Sequence, residues 1–229
     1  MYLARAFLNP ISRAVRNDLA DVVSLHRTIM RAFPEDSGPQ PREAHGVLHR
    51  VDEEAHRGRF VLLIQSATRP DFSRFPAGYF LDLGADFDTG PAPLNPAVRD
   101  TGEEQAKIAR GDRFLFRLRA NTTRKITKLD PTTSAPTKNG QRVPVRGDEA
   151  RLSWLQRHAE TAGFAVNHVA ITEVSGAGRG GPTFAGACFN GQLTVTDADR
   201  FRRALAAGIG PAKAYGFGLL SIQPVLLSP

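Results

Sequence analysis

The sequence predicts an α+β protein with two small domains, each built from an antiparallel sheet that is backed by helices. Two observations lead to this prediction. Short segments of alternating bulky residues recur along the chain between turn residues, as in strands. Apolar residues at helical spacing occur in both halves of the chain. The resulting order is the split β-α-β-β-α-β pattern twice, with the second helix of the first half short or missing.

The first half begins with Tyr2–Leu8, whose alternation predicts a strand. A helix is expected from about Leu19 to Phe33, because Asp18 could cap its start and Pro34 enforces its end. Three further strands are predicted at 45–51, 59–67 and 78–83.

The second half follows residues 84–111, which hold Gly, Pro and acidic residues with little periodicity and indicate an interdomain linker. Domains are therefore expected at 1–88 and 112–229, joined by a linker at 89–111. A helix is predicted at Asp148–Thr161, where Gly163 acts as its stop. The other predicted elements are strands at 113–119, 164–174, 182–195 and 219–223, a polar loop or hairpin at 121–146, a glycine-rich hairpin at 176–181 and a helix at 197–207.

The charge of the chain indicates a polyanionic partner. Thirty lysines and arginines oppose 23 aspartates and glutamates, which gives a formal net charge of +7 and a pI near 10.2. The excess is mostly arginine, whose planar guanidinium can hold phosphate oxygens in pairs. Nucleic acid is the partner most often found for such a domain. The alternative is a GC-rich genome that favours arginine codons.

Other features limit the class of protein. No run of apolar residues approaches the length of a membrane span. Residues 1–5 include a charge where a signal peptide needs an unbroken apolar stretch, so a cytoplasmic protein is expected. Cys188 is the single cysteine, which excludes an internal disulfide and a multi-cysteine zinc site. Because His45, His49 and His56 do not follow the helical His-Glu-x-x-His spacing, no metal site is predicted, and no other cofactor is expected.

His26 is the first candidate for a chemical role. Helical spacing places it within the apolar stripe of the expected helix, so a packed, hydrogen-bonded histidine is one interpretation. Arg27 and Arg31 are four residues apart, share a flank beside that stripe and could hold a phosphate. A histidine at the edge of a core with two arginines nearby has its charged form disfavoured, which suits a base near neutral pH. A catalytic histidine is the second interpretation.

The C-terminal segment 208–220 is the second candidate. Its glycines let the backbone come close to a phosphate chain, and Lys213 adds a cation. It is not a Walker loop, because no Gly-Lys-Ser/Thr follows at the required spacing, and it lacks the strand–helix context of a dinucleotide fingerprint. A simple turn and an anion site both remain open. The four glycines are Gly208, Gly210, Gly216 and Gly218.

The third candidate is the arginine-rich face of the predicted strand 113–119. Alternation projects Arg113, Arg117 and Arg119 to one side of a sheet. A track for phosphates is one interpretation, and a solvated face is the other. The basic run continues into Arg124, Lys125 and Lys128.

Motifs at both ends of the chain together resemble one known family. The N-terminal motifs are Met1-Tyr2-Leu3, Leu8-Asn9-Pro10, Ser12-Arg13, Asp18-Leu19-Ala20, Leu25-His26-Arg27-Thr28 and Ala32-Phe33-Pro34. The C-terminal match is the glycine-rich segment 208–221, while 114–121 and Trp154-Leu155 fit the middle. Over its whole length the sequence is similar to the CasE family, the CRISPR-associated endoribonucleases of type I-E systems.

This resemblance implies two ferredoxin-like (RRM-like) domains and an enzyme that cuts the CRISPR precursor transcript at the 3′ base of each repeat stem-loop. It also implies that the enzyme stays on its product as a subunit of the Cascade complex. The family's catalytic histidine corresponds to His26, and its glycine-rich loop lies along the RNA. A basic hairpin, here 175–181, enters the groove at the base of the stem. The candidates for contacts with phosphates and with the groove are Arg117, Arg119, Arg124, Lys125 and Arg179.

We therefore expect cleavage without a metal, by attack of the RNA 2′-OH on the adjacent phosphate. His26 would act on either the 2′-OH or the leaving 5′-oxygen, leaving a 2′,3′-cyclic phosphate and a 5′-OH. The phosphorane would be steadied by Arg27, Arg31 or Lys213. Some family members carry a tyrosine three residues before the histidine, where this chain has Val23, which cannot transfer a proton. The alternatives are a non-catalytic RNA-binding subunit and a structural protein of an RNA–protein particle.

Overall fold

The computed structural model describes residues 1–35, 38–54, 57–83, 94–127, 141–181 and 183–225. These residues form two four-stranded antiparallel sheets and a two-stranded hairpin. Each four-stranded sheet packs on its own hydrophobic cluster. The predicted α+β class, with antiparallel sheets backed by helices, is therefore confirmed.

The first sheet has the spatial order β2-β3-β1-β4, and its strands are β1 (Tyr2–Leu8), β2 (Leu48–Glu54), β3 (Arg59–Ser66) and β4 (Ala97–Asp100). Alternate residues of β1 are buried, as the strand period requires. The helices of this half are α1 (Arg13–Leu19), α2 (Val22–Met30), α3 (Pro41–Ala44) and α4 (Gly102–Ala106), with a 3₁₀ helix at Phe72–Arg74. Val15, Leu25 and Ile29 bring α1 and α2 into the core of the first domain.

The second sheet has the spatial order β10-β5-β9-β8, and its strands are β5 (Arg113–Ala120), β8 (Phe164–Ala177), β9 (Thr183–Val195) and β10 (Leu220–Pro224). A separate hairpin pairs β6 (Thr123–Ile126) with β7 (Gln141–Pro144). The helices are α5 (Asp148–Thr161) and α6 (Ala198–Ala207), with a 3₁₀ helix at Lys213–Tyr215. Trp154, Leu155 and Phe201 pack these helices on the apolar face of β5 and β9. In both sheets the first strand of the domain lies between its third and fourth strands.

The helix expected at 19–33 is shorter, α2 at Val22–Met30, and a separate helix, α1 at Arg13–Leu19, precedes it. Asp21, and not Asp18, caps α2, because its side chain accepts a hydrogen bond from Val23 N at 3.0 Å. Asp18 lies within α1 and is buried, where it accepts from Ser24 Oγ at 2.6 Å and from Tyr79 Oη at 2.8 Å. The sequence pattern predicted Asp18 as a helix cap, but in the structure its carboxylate is engaged in a tertiary hydrogen bond with Tyr79.

The fourth strand of the first sheet lies within the segment predicted as a linker. The expected strand at 78–83 is reduced to a single bridge between Leu8 and Phe80, whereas β4 pairs with β1. The Asn95 side chain holds the chain beside β1 just before β4 begins. It accepts a hydrogen bond from Phe7 N at 2.8 Å and donates one to Phe7 O at 3.0 Å. A strand of four residues with this support carries too little periodicity to be recognised from the sequence.

Buried polar contacts join the two sheets. Arg50 in β2 is 2% exposed, pairs with Asp52 at 2.9 Å and donates to the backbone oxygen of Leu219 at 3.3 Å. Gln65 in β3 donates to the backbone oxygen of Leu205 at 2.6 Å. Because a buried donor without a partner costs free energy, these bonds favour one placement of the two sheets. We call the boundary between the two domains, where these bonds lie, the seam. Several of the predicted site residues lie there.

Candidate functional site

Helix α2 places His26 at the seam, against residues of both domains. Leu25, Thr28 and Ile29 form the buried side of this helix, and His26 is half-buried at its edge. The Nδ1 atom of His26 is buried and has no hydrogen-bond partner within the described part of the chain. If a ligand reaches a ring nitrogen, that nitrogen is therefore Nε2. The ring is neither sealed in the core nor held by a protein hydrogen bond at Nδ1, which favours the catalytic interpretation.

Two aromatic rings, one from each domain, lie beside His26. The ring of His49 in β2 is stacked near it, with centroids 6.4 Å apart and planes 18° apart. Tyr215, in the 3₁₀ helix of the glycine-rich segment, lies in an edge arrangement with a centroid distance of 6.3 Å. Burial, reinforced by nearby positive charge, lowers the pKa of His49 to about 3. His49 is therefore neutral near pH 7, and its position beside His26 was not predicted.

The surroundings of His26 favour its neutral form. Burial is the main cause that lowers the pKa of His26 below its ordinary value of 6.5, and the positive charges of Arg42 and Arg27 add to it. Arg27 is a neighbour that helical spacing predicts. Arg42 was missed because it lies in α3, a four-residue helix that carries no periodic pattern. Arg31 follows the end of α2, is exposed, and is not among the charges that lower the His26 pKa.

Lys213 belongs to the same set of charges. It is half-buried at the start of the 3₁₀ helix, which contacts both α2 and β2. Burial is the main cause that lowers the pKa of Lys213 below 10.5, followed by the charge of Arg42. Arg42 therefore lies within electrostatic reach of both His26 and Lys213. We refer to Arg27, Arg42 and Lys213 as the cationic cluster.

The glycine-rich segment runs from α6 to β10 and reaches the seam at its centre. Gly216 and Gly218 are buried, with φ angles of 82° and 90° that side chains rarely adopt. A Cβ on Gly208 would lie 2.8 Å from a leucine of β2, and one on Gly210 would lie 3.0 Å from the tryptophan of α5. Packing thus explains these two glycines, and contact of all four with RNA stays a prediction.

The hairpin between β8 and β9 lies on the start of α2. A Cβ on Gly176 would be 3.4 Å from Val22, and one on Gly178 would be 3.1 Å from Val23. Val23 therefore serves as a packing surface for the hairpin. Arg179 is exposed at the tip of this hairpin. The fold brings the predicted basic hairpin to the same helix that carries His26.

The arginine face of β5 is turned toward the first domain. Arg117 is exposed, donates to Asn190 Oδ1 at 2.6 Å and lies 3.5 Å from Asp52 Oδ1. Arg119 donates to Ser175 O at 2.6 Å and lies over the ring of Phe217 at 5.0 Å. Burial lowers the pKa of Arg119. These bonds give both arginines a part in joining strands, and their binding of RNA stays a prediction.

Arg124 and Lys125 lie on a different surface. Both are exposed on β6 and line an open groove on the helix side of the second domain. Sequence reasoning missed the other cations of this groove, because they lie on the outward faces of α5 and α6, far along the chain. The groove cations are Arg124, Lys125, Arg157, Arg200 and Arg203. Lys128, which continues the basic run, lies outside the described residues.

The described residues lack two kinds of feature. Within them, no three His, Cys, Asp or Glu side chains come together in a way that could hold a metal ion. No helix in this part of the chain is long and apolar enough to span a membrane.

Comparison with known proteins identifies the family. Residues 1–224 match the family model of the CRISPR associated protein. The CRISPR system Cascade subunit CasE of Escherichia coli is 30% identical, with 98% of this chain and 100% of that protein covered. The chain belongs to the CasE family. The CRISPR-associated endoribonuclease Cse3 of Thermus thermophilus, a further relative, is 29% identical over 98% of this chain and 100% of its own length.

Solved structures of CasE-family proteins share the fold. Thermus thermophilus Cse3 bound to an RNA representing a pre-cleavage complex has a TM-score of 0.75 and 28% identity, covering 97% of this chain and 98% of that one. Cas6e of Escherichia coli has a TM-score of 0.69 and 25% identity, covering 98% and 100%. The predicted family and the predicted pair of ferredoxin-like domains are confirmed. The chain is thereby assigned to the CRISPR-associated endoribonucleases.

Proposed function

We propose that this CasE-family protein cuts CRISPR precursor RNA at the 3′ base of each repeat stem-loop, with His26 as its principal catalytic residue. The observation that carries the proposal is the setting of the His26 ring, which is half-buried and close to Arg27 and Arg42, with its pKa lowered by burial and by these charges. The RNA held by Thermus thermophilus Cse3 supports an RNA substrate. The name of the Escherichia coli relative supports a place in a Cascade-type complex, in which the enzyme stays on its product.

His26 acts as the base in this proposal. Because its pKa is lowered below 6.5, most of the imidazole is neutral at pH 7 and can accept a proton. Nε2 takes the proton of the 2′-OH, the 2′-oxygen forms a bond to phosphorus, and the bond from phosphorus to the 5′-oxygen breaks. The departing 5′-oxygen takes a proton from water, and the His26 imidazolium releases its proton to the solvent. The products are a 2′,3′-cyclic phosphate and a 5′-OH. This chemistry uses the RNA's own nucleophile and needs no metal ion.

The cationic cluster stabilises the charge that develops on the phosphate. A guanidinium or ammonium near the reacting oxygens is worth most where water is largely excluded, and both Arg42 and Lys213 are half-buried. Arg27 is exposed one residue from His26 and can approach the phosphate from the solvent side. Arg31 stays a candidate for a neighbouring phosphate, because it lies one turn further along the same helix.

The pH dependence tests the base role. Since the reactive form is the neutral ring, the single-turnover rate should rise with pH, with a midpoint below pH 6.5, and then level off. Arg42→Gln removes one charge that lowers this pKa, so its profile should shift to higher pH. Arg110→Gln, an exposed arginine elsewhere, is the matched control and should leave the midpoint in place. A rate that falls as pH rises through this range would assign His26 to the acid role instead.

The groove cations are proposed to hold phosphates of the stem. Replacing Arg124 and Lys125 by glutamate should weaken repeat-RNA binding and lower the slope of log K against log salt by roughly 1.5, since each phosphate contact contributes about 0.7 to 0.9. The measurement is a binding titration at several salt concentrations. Lys107→Glu with Arg110→Glu makes the same change in net charge on another exposed surface. Equal losses in both double variants would show a general charge effect and contradict a specific site.

The proposed function is tested by incubating purified protein with repeat RNA in EDTA and identifying the ends of the products. We expect one cut at the 3′ base of the stem, a 2′,3′-cyclic phosphate on the upstream fragment and a 5′-OH on the downstream one. Retention of intact RNA would support the non-catalytic binding subunit. Binding of unrelated hairpins with equal affinity would support the structural protein. Cutting that requires added metal would contradict the mechanism.

A further inference from the structure

The glycine-rich segment brings a tyrosine to His26. Tyr215 and His26 have ring centroids 6.3 Å apart in an edge arrangement. The other side of the tyrosine ring stacks on Phe184 of β9, with centroids 4.7 Å apart and planes 27° apart. Two rings from separate elements therefore fix the plane of the phenol. A side chain held in this way is already oriented before any ligand arrives.

The backbone on both sides of Tyr215 adopts left-handed conformations. Ala212, with φ 63° and ψ 31°, precedes the 3₁₀ helix, and it is the one non-glycine residue with positive φ in the described part of the chain. Gly216, with φ 82° and ψ 21°, follows it. A left-handed alanine is strained, and such strain persists where surrounding contacts demand it. These left-handed residues turn the short 3₁₀ helix, and with it Tyr215, toward helix α2.

The tyrosine hydroxyl has no task within the protein. Tyr215 is half-buried, and its oxygen makes no hydrogen bond with any described residue and is open to solvent. By contrast, the hydroxyl of Tyr79 is bonded to Asp18 at 2.8 Å in the core. This oriented donor lies beside the His26 ring and belongs to the same turn as Lys213, so it can serve a ligand that reaches both.

We propose that Tyr215 is a further catalytic residue, whose hydroxyl donates a hydrogen bond to a non-bridging oxygen of the scissile phosphate. This inference rests on the proposed function of the His26 site. In this proposal the tyrosine keeps its proton throughout, and no bond to it forms or breaks. Its hydrogen bond strengthens as negative charge builds up on the phosphorane oxygens. The tyrosine thus supplies a neutral donor that complements the cationic cluster.

Tyr215→Phe tests the hydroxyl while keeping the ring that packs on His26 and Phe184. At saturating RNA the single-turnover rate should fall about 10²- to 10³-fold, as for loss of one donor to a developing oxyanion. RNA affinity should change little, because the contact strengthens in the transition state. Tyr2→Phe removes the same atom from a half-buried tyrosine of β1 and should cut at the wild-type rate. Thermal unfolding of both variants checks that the fold is kept.

A phosphorothioate RNA identifies the contacted oxygen. Sulfur accepts hydrogen bonds poorly, so one diastereomer at the scissile phosphate should slow the wild type, and this effect should shrink in Tyr215→Phe. Cleavage by Tyr215→Phe at the wild-type rate would overturn the inference. So would a Tyr215→Phe variant that cuts slowly but is slowed by the phosphorothioate as much as the wild type is. If the wild type itself fails to cut, the proposed function falls and this inference falls with it. If His26→Ala abolishes cutting while Tyr215→Phe does not, only the tyrosine assignment is wrong.

Discussion

A repeat RNA with a 2′-deoxy sugar immediately before the scissile phosphate should bind the protein normally and remain uncut. The proposed reaction takes its nucleophile from that sugar, and no other group at the site replaces it. Shape and phosphate contacts with the stem do not need this hydroxyl, so affinity should be close to that of the all-RNA substrate. The measurement is a cleavage assay beside a binding titration, with both substrates at equal concentration.

The position of the deoxy sugar supplies the control. Moving it one nucleotide further upstream keeps the chemical change but restores the attacking hydroxyl, and cutting should return. Cutting of the first substrate, with a 5′-phosphate on the downstream product, would mean that water attacks and not the 2′-OH. That result would contradict the mechanism while leaving the family assignment intact, because the assignment rests on similarity and not on the products.

His26→Ala should lower the cleavage rate by about 10² to 10⁴, which is the usual loss when an acid–base group is removed. RNA affinity should be nearly unchanged, because the imidazole is uncharged near pH 7 and the phosphates are held by separate cations. The half-buried ring makes no hydrogen bond at Nδ1, so its removal breaks no polar network of the fold. Single-turnover kinetics at saturating RNA separate the rate from the affinity.

His168→Ala is the matched control for this variant. His168 is exposed on β8, toward the end remote from the hairpin that lies on α2, and its loss should leave cleavage unchanged. A second comparison is His49→Ala, which removes the buried imidazole stacked near His26 and is expected to reduce stability. Rapid cutting by His26→Ala would rule out His26 as the principal catalytic group, whatever the behaviour of the other two variants.

Local sequence patterns predicted the helix and strand bounds correctly where the tertiary packing agreed with them. The predicted bounds of β1 and α5 match the structure, and the predictions for β5, β9 and α6 are within about one residue. The helix prediction failed at Asp18, because Tyr79 from a distant part of the chain donates a hydrogen bond to that carboxylate. The prediction for β4 failed because a four-residue strand depends on its neighbours and shows no pattern of its own.

The candidate site divides in the same way. His26, Arg27 and the glycine-rich segment were recognisable because each is part of a contiguous motif or a helical repeat. Arg42 and His49 were not, and neither was the contact between Tyr215 and His26, since these residues meet His26 only after both sheets are in place. Periodicity reports which face of one element is apolar, and it carries no information on contacts between elements distant in the chain.

The one-dimensional pattern thus established the type of fold, the basic character of the chain and the helix that bears the key histidine. The chemistry of that histidine was decided by folding. The pKa of His26 depends on its burial between the two domains and on the positive charge of an arginine in α3. Packing also buries Nδ1 and so leaves Nε2 as the nitrogen that a ligand can contact. Burial and electrostatic interactions depend on the distances between side chains in space. For residues far apart in the chain, those distances exist only once the protein has folded.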